Sequence, residues 1–240
     1  MLKVGLIGCG HISETYFRSQ TYFNNINIVA CADINIEAAT KCAKEYNIQA
    51  KSVNDLLVDK EIDIILNLTN PTSHYDTIKK TLLSNKHSYC EKPLSISFEQ
   101  GKELVDLAIS KKLYLGNAPD TFLGGGGQLT KKIIDSGEVG GITLGNFVFA
   151  FPGVQSWHPN PEPWFIEGGG PILDMGPYYY TMLVNLLGPA KNIRSYSKTV
   201  KERLFIANHC DQIYFVRMWT MRKFFEDLPF QQKNNCEVLY

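Results

Sequence analysis

The sequence predicts an α/β fold with a doubly wound parallel sheet in its first half, followed by an α+β domain in which helices and strands are mixed. Three observations predict this fold. Short apolar runs alternate with helix-period segments up to about residue 118. The first apolar run ends directly in a glycine-rich turn, and after Pro119 the chain becomes rich in Pro, Gly and aromatic residues. We therefore expect domains at 1–118 and 119–203, with an atypical tail at 204–240.

The first half contains five predicted strands joined by four predicted helices. The strands are Lys3–Ile7, Ile26–Asp33, Ile62–Thr69, His87–Cys90 and Leu113–Asn117. The helices are Ile12–Phe23, Ile36–Tyr46, Ser73–Leu83 and a segment that runs to Ile109 from a capping box at Ser97 and Gln100. The third predicted strand is an almost unbroken apolar run, which is typical of a strand buried on both faces of a parallel sheet.

The second half has longer irregular segments. Its predicted elements are a helix at Gln128–Ser136, a strand at Thr143–Phe151, a helix at Met175–Leu187 and a strand at Asn192–Val200. A long loop between Pro152 and Pro171 carries three large aromatic residues, Trp157, Trp164 and Phe165. Long loops in compact proteins are commonly functional, so we expect this one to be ordered and to face a ligand.

The turn after the first strand has the spacing of a phosphate-binding turn. Gly8 lets the chain turn sharply, and Gly10 lacks the Cβ that would keep a pyrophosphate away from the backbone amides. His11 and Ile12 complete the turn. Ser13 stands at the third glycine position, where a small residue allows close packing of helix and strand. The turn predicts dinucleotide binding, and the alternative is an ordinary tight turn between a strand and a helix.

An acidic residue, Asp33, ends the second apolar run. Its carboxylate is placed where an adenosine ribose would offer two hydroxyls. The same charge would repel a 2′-phosphate, and Ile34 and Asn35 supply no cation to neutralise one. The sequence therefore predicts NAD as the cofactor, with NADP disfavoured.

Two further polar segments follow neighbouring strands at the same edge of the predicted sheet. The first ends the third strand and opens the next helix, and its candidate residues are Asn67, Thr69, Asn70, Pro71 and His74. The second follows the fourth strand and consists of Glu91, Lys92 and Pro93. Ligands of open parallel sheets bind at this edge. The alternative interpretation of Lys92 is a surface lysine in a turn.

Four segments together resemble the Gfo/Idh/MocA oxidoreductase family: the turn at Gly8, residues 67–74, the Glu91-Lys92-Pro93 triplet and residues 168–178. The resemblance covers Met1 to about Val200 and implies that the second half is an α+β open-sheet domain, which we expect to be incomplete in this chain. After about Arg203 we expect it to end through a frameshift, a truncation or divergence.

The resemblance implies roles for individual residues. Lys92 would contact the substrate hydroxyl beside the nicotinamide. Asp174 and Tyr178 would transfer the proton, with Tyr178 standing where many relatives have a histidine. A helical spacing of four would place these two side chains on one face, although Tyr178 is also compatible with an aromatic core. The cofactor would contact Gly8, Gly10, His11, Ile12, Asp33, Asn67, Thr69, Asn70, Pro71, His74, Glu91 and Lys92.

The sequence thus supports three functional hypotheses. The first is an NAD-dependent oxidoreductase that oxidises a hydroxyl of a sugar, a polyol or a related small molecule. The second is an NAD-dependent glycosidase that works by transient oxidation and elimination. The third is a nucleotide-binding remnant without catalysis. The family also implies a homo-oligomer formed through the sheet of the second domain.

Composition excludes some classes of function. The 24 basic residues balance 24 acidic ones, so net charge gives no reason to expect nucleic acid or an anionic membrane as a partner. Six cysteines without C-x-x-C spacing indicate reduced thiols in a cytoplasmic protein. We expect no metal, because His74, His87 and His209 have no ligand spacing. His158 is interpreted as a loop residue.

Overall fold

The computed structural model describes residues 1–149, 153–154, 158, 161–166 and 168–195. The chain forms two compact units. The first consists of Met1–Pro119 together with Ile166–Gly169, and the second holds Asp120–Phe165 and the residues from Gly170 onward. Trp157 and the predicted tail at 204–240 lie outside the described residues.

The first unit contains a parallel sheet of six strands. They are β1 (Leu2–Ile7), β2 (Ile26–Ala32), β3 (Gln49–Ala50), β4 (Ile64–Asn67), β5 (His87–Cys90) and β6 (Leu115–Asn117). Their order is β3-β2-β1-β4-β5-β6. The strand order reverses direction between β1 and β4, which is the switch point of a doubly wound sheet. The predicted α/β class is confirmed.

Five α-helices connect these strands. They are α1 (Ser13–Ser19), α2 (Ile36–Tyr46), α3 (Val53–Val58), α4 (Pro71–Leu83) and α5 (Phe98–Lys111). The predicted first helix is split, because a 3₁₀ turn at Gln20–Tyr22 follows α1. The sequence analysis missed β3 and α3. Two and six residues are too few to show a hydrophobic period, although Ser52 caps α3 by accepting from the N–H of Asp55.

Three clusters of apolar side chains form the core of the first unit. They centre on Leu6 with Phe17 and Leu66, on Ile7 with Leu56 and Ile65, and on Ile78 with Leu82 and Leu104. Successive residues of β1 belong to different clusters because adjacent strand side chains point to opposite faces of the sheet. Helices therefore cover both faces, so a ligand site of this unit is expected at the carboxyl ends of the strands.

The second unit is helical in its described part. It contains α6 (Gly125–Asp135), α7 (Pro171–Asp174) and α8 (Gly176–Leu187), with 3₁₀ turns at Thr121–Leu123 and Glu162–Trp164. The predicted helices at Gln128–Ser136 and Met175–Leu187 correspond to α6 and α8 with small shifts at their ends.

The two strands predicted for the second half differ from the structure. Residues 143–149 and 192–195 are not in strands, and the remainders of both segments lie outside the described residues. An extended segment becomes a strand only when a neighbour pairs with its backbone. The described residues of the second unit contain no such pairing. Within the described part of the chain, none of the helices combines the length and hydrophobicity needed to span a bilayer.

Candidate functional site

Four strands of the first unit end at one edge of the sheet in matched register. The terminal residues pair across the sheet as Ile7 with Ala32, Ile7 with Asn67, and Asn67 with Cys90. Gly8, Asp33 and Glu91 each follow directly after one of these ends. Three separate predicted motifs are therefore brought to one edge, which is where open parallel sheets bind ligands.

The glycine turn after β1 combines a tight approach with an open space. Gly8 has φ +102°, and a Cβ there would lie 2.6 Å from the carbonyl carbon and oxygen of Leu68. Only glycine fits this conformation and this spacing. A Cβ on Gly10 would meet no atom within 4 Å. Ser13 is buried, and its hydroxyl donates to the carbonyl oxygen of Gly10 over 2.7 Å, which closes the turn.

The carboxylate of Asp33 is held by backbone on both sides. Oδ2 accepts a hydrogen bond of 2.7 Å from the N–H of Cys9, and Oδ1 accepts one of 2.8 Å from the N–H of Asn35. Asn35 in turn caps α2 by accepting from the N–H groups of Glu37 and Ala38. The carboxylate is therefore fixed beside the glycine turn with a defined orientation. Ile34, the next residue, is fully exposed at 102%.

The turn between β4 and α4 is shaped by Asn67. This side chain is completely buried. Its Oδ1 accepts from the N–H and the hydroxyl of Thr69, over 3.1 and 2.7 Å, and its Nδ2 donates to the carbonyl oxygen of His74. Asn70 is exposed and precedes Pro71, the first residue of α4. Asn67 thus orders the turn from below, and Thr69 and Asn70 lie at the edge.

His74 joins this turn to the loop after β5. The buried ring places Nδ1 2.6 Å from the carbonyl oxygen of Pro93 and Nε2 2.8 Å from that of Thr69. Burial lowers the pKa of His74, because a charged imidazolium loses its hydration there. A neutral ring donates one N–H, so each tautomer makes one of the two hydrogen bonds.

Glu91 is held at several points. Its Oε1 accepts a hydrogen bond of 2.7 Å from the hydroxyl of Tyr16, and its Oε2 accepts one of 3.0 Å from the N–H of Lys92. Asn117 donates through Nδ2 to the carbonyl oxygens of Cys90 and Glu91, each over 3.0 Å. The sequence analysis missed Tyr16 and Asn117. Tyr16 lies 75 residues from its partner, and no local pattern shows such a contact.

The second unit carries the other two predicted catalytic residues. Asp174 ends α7, and Tyr178 lies in the first turn of α8 after Met175. The backbone N–H of Asp174 donates to Gly170 over 2.9 Å, and that of Tyr178 donates to Met175 over 3.2 Å. The expected spacing of four on one continuous helix is thus spread over two helices. Their catalytic roles stay a prediction.

Two more predictions concern the loop histidine and the metal. The ring of His158 lies beside that of Trp164, with 4.3 Å between the centroids. Among the described residues, no three His, Cys, Asp or Glu side chains are grouped in a way that could hold a metal ion.

The Gfo/Idh/MocA family is matched along most of the chain. Its NAD-binding Rossmann domain matches residues 2–118, and a C-terminal domain of the same family matches residues 128–219. The chain belongs to the Gfo/Idh/MocA oxidoreductase family. The second match runs past Arg203, so the expectation that the resemblance ends there is wrong. The residues after Arg203 have no clear helical or strand period, so the sequence pattern alone did not indicate the relationship.

Individual members of the family are similar over part of their length. An uncharacterized oxidoreductase of Schizosaccharomyces pombe is 32% identical over 57% of this chain and 37% of its own. Inositol 2-dehydrogenase of Salmonella paratyphi B is 29% identical over 58% of this chain and 43% of its own. The chain thus spans about two fifths of the length of these relatives.

A solved structure of the family shows the same fold. The WlbA dehydrogenase of Bordetella pertussis, in complex with NADH and UDP-GlcNAcA, superposes with a TM-score of 0.76 and 22% identity. The superposition covers 85% of this chain and 63% of that protein.

Proposed function

We propose that this Gfo/Idh/MocA protein is an NAD-dependent oxidoreductase that oxidises a hydroxyl group of a polyol or sugar. The observation that carries the proposal is the fixed carboxylate of Asp33 beside the open turn at Gly10. In dinucleotide-binding folds an acidic side chain about 20 residues after the glycine turn accepts a hydrogen bond from the ribose, and the pyrophosphate needs backbone amides that no Cβ covers.

The residues of the first unit fit NAD in particular. Gly10 leaves room for the pyrophosphate, and Asp33 would accept hydrogen bonds from the ribose hydroxyls. Residues 34–40 contain no Lys or Arg that could neutralise a 2′-phosphate. The exposed side chain of Ile34 is available to pack against an adenine ring. When bound, NAD⁺ supplies the hydride acceptor, and the protein positions and polarises the substrate.

The substrate side depends on three residues that divide two tasks. Lys92 would hold the reacting hydroxyl and lower the cost of losing its proton, since an ammonium stabilises a developing alkoxide. Asp174 and Tyr178 would carry the proton away. The N–H of Lys92 is bonded to Glu91, and its neighbour Pro93 is contacted by His74. The loop that presents the ammonium is thus braced on both sides.

The substrate class follows from the relatives, several of which are inositol dehydrogenases. A polyol with neighbouring hydroxyls offers one group for oxidation and others for recognition by hydrogen bonds. The free thiols of Cys9, Cys31, Cys42 and Cys90 support a reducing compartment, which we propose is the cytoplasm. We also propose a homo-oligomer, as the family implies.

The proposal is tested by calorimetric titration of the full chain with NAD⁺ and NADP⁺, followed by NADH formation on a panel of inositols and sugars. We expect tighter binding of NAD⁺. The Asp33→Asn variant keeps an acceptor oxygen but loses the charge, so it should reduce the difference in affinity between NAD⁺ and NADP⁺. Equal binding of both cofactors by the wild type would overturn the role of Asp33. Product formation without net NADH would indicate transient oxidation in place of dehydrogenation.

A further inference from the structure

The hydroxyl of Tyr16 links the two halves of the sheet at the site. Tyr16 lies on α1, which connects β1 to β2, whereas Glu91 follows β5 on the other side of the switch point. The two side chains are joined by a hydrogen bond of 2.7 Å. The glycine turn opens α1, so this bond connects the turn directly to the loop that carries Lys92.

The bond determines the orientation of the Glu91 carboxylate. Oε1 accepts from Tyr16, and Oε2 then accepts from the backbone N–H of Lys92 over 3.0 Å. A carboxylate that is anchored through one oxygen presents the other in a fixed direction. Without the anchor, the side chain can rotate about its own bonds, and the N–H of Lys92 loses its acceptor for part of the time. Hydrogen bonds to charged groups are among the stronger ones in proteins.

The ring of Tyr16 has a separate structural task. It is partly buried and packs against the cluster of Leu6, Phe17 and Leu66. Replacing tyrosine by phenylalanine keeps this packing and deletes only the hydroxyl. The two tasks are therefore separable in one variant.

We propose that Tyr16 is a positioning residue that acts through the Glu91 carboxylate to hold the backbone of Lys92 in place. The proposal rests on the proposed function for the role of Lys92. It adds a residue on α1 to the machinery of the opposite half of the sheet.

The primary test is amide hydrogen exchange, measured by NMR on the full chain. In Tyr16→Phe, the Lys92 amide should exchange roughly tenfold to a hundredfold faster, the range that one hydrogen bond to a charged group controls. The Thr69 amide, which donates to Asn67, should keep its rate. Tyr75→Phe is the matched control, because it deletes a tyrosine hydroxyl that donates to Glu103 between α4 and α5.

The pathway through Glu91 is tested by combining variants. If Tyr16 acts through Glu91, Tyr16→Phe should change the Lys92 exchange much less in a Glu91→Gln background than in the wild type. An unchanged Lys92 rate in Tyr16→Phe, or an equal acceleration in Tyr75→Phe, would overturn the proposal.

A functional measurement separates this proposal from the proposed function. On a polyol that the wild type oxidises, Tyr16→Phe should lower kcat about tenfold or more, while the dissociation constant for NADH changes less than about threefold. An equal fold-change in kcat and in NADH affinity would indicate general damage to the protein and contradict a positioning role. If the wild type binds no NADH, the proposed function fails, and the Lys92 exchange rate alone decides the role of Tyr16.

Discussion

Gly8→Ala and Gly10→Ala should damage different properties of the protein, stability and NAD affinity respectively, although the two positions lie two residues apart in one turn. At Gly8 the positive φ costs a residue with a Cβ about 1–2 kcal/mol. The overlap with the carbonyl of Leu68, at 2.6 Å, involves backbone that cannot rotate away. Such overpacking adds about 1–3 kcal/mol. We therefore expect Gly8→Ala to lower the free energy of unfolding by about 2–5 kcal/mol.

Gly10→Ala meets neither obstacle, because its Cβ would have no atom within 4 Å and Gly10 is not among the positive-φ residues. Its stability should stay within about 1 kcal/mol of the wild type, whereas its affinity for NAD should fall, since the new methyl group occupies the space for the pyrophosphate. Urea unfolding followed by circular dichroism measures the first quantity, and calorimetric titration measures the second. Equal urea midpoints for the two variants would refute the reasoning about Gly8.

Three further predictions follow from single residues. Lys92→Ala should lower kcat by roughly 10² to 10⁴ with little change in NAD affinity, and full activity in steady-state assays would place the chemistry elsewhere. Lys86 is buried and donates through Nζ to the carbonyl oxygens of Asp59 and Ile62. Lys86→Met should therefore cost about 2–4 kcal/mol in urea unfolding, and a neutral result would show that water replaces the ammonium. In the folded protein, burial lowers the pKa of His74 below its ordinary value of 6.5. The unfolded ring therefore gains a proton first as the pH falls. Stability should drop by up to about 1.4 kcal/mol between about pH 7.5 and about pH 5.5, and His74→Gln, which cannot titrate, should lack that part of the slope.

The first half of the chain was predictable because apolar strands alternate there with segments of helical period, and because the glycines of its first turn are required by steric constraints. Gly8 and Asp33 follow strand ends that pair in register, so spacing along the sequence was enough to bring them to one edge. Glu91 follows by the same argument through β4 and β5.

The missed features depend on contacts that are remote in sequence or on elements that are too short. The partner of Tyr16 is 75 residues away, and β3 has two residues. In the second unit, the aromatic residues of the segment from Thr143 onward indicated a strand, but a strand also requires a pairing neighbour, which residue composition alone cannot supply.

The double anchoring of Asp33 limits how the cofactor preference of this protein can be redesigned. Asp33→Asn removes the negative charge but leaves one acceptor oxygen for two backbone donors, the N–H groups of Cys9 and Asn35, and Asn35 caps α2. A variant built to accept a 2′-phosphate therefore needs a cation for the phosphate and also new acceptors for these backbone N–H groups. In the proposed function the carboxylate that selects the cofactor is also the one that orders the turn, so the two effects can be separated only by rebuilding the turn around Asp33.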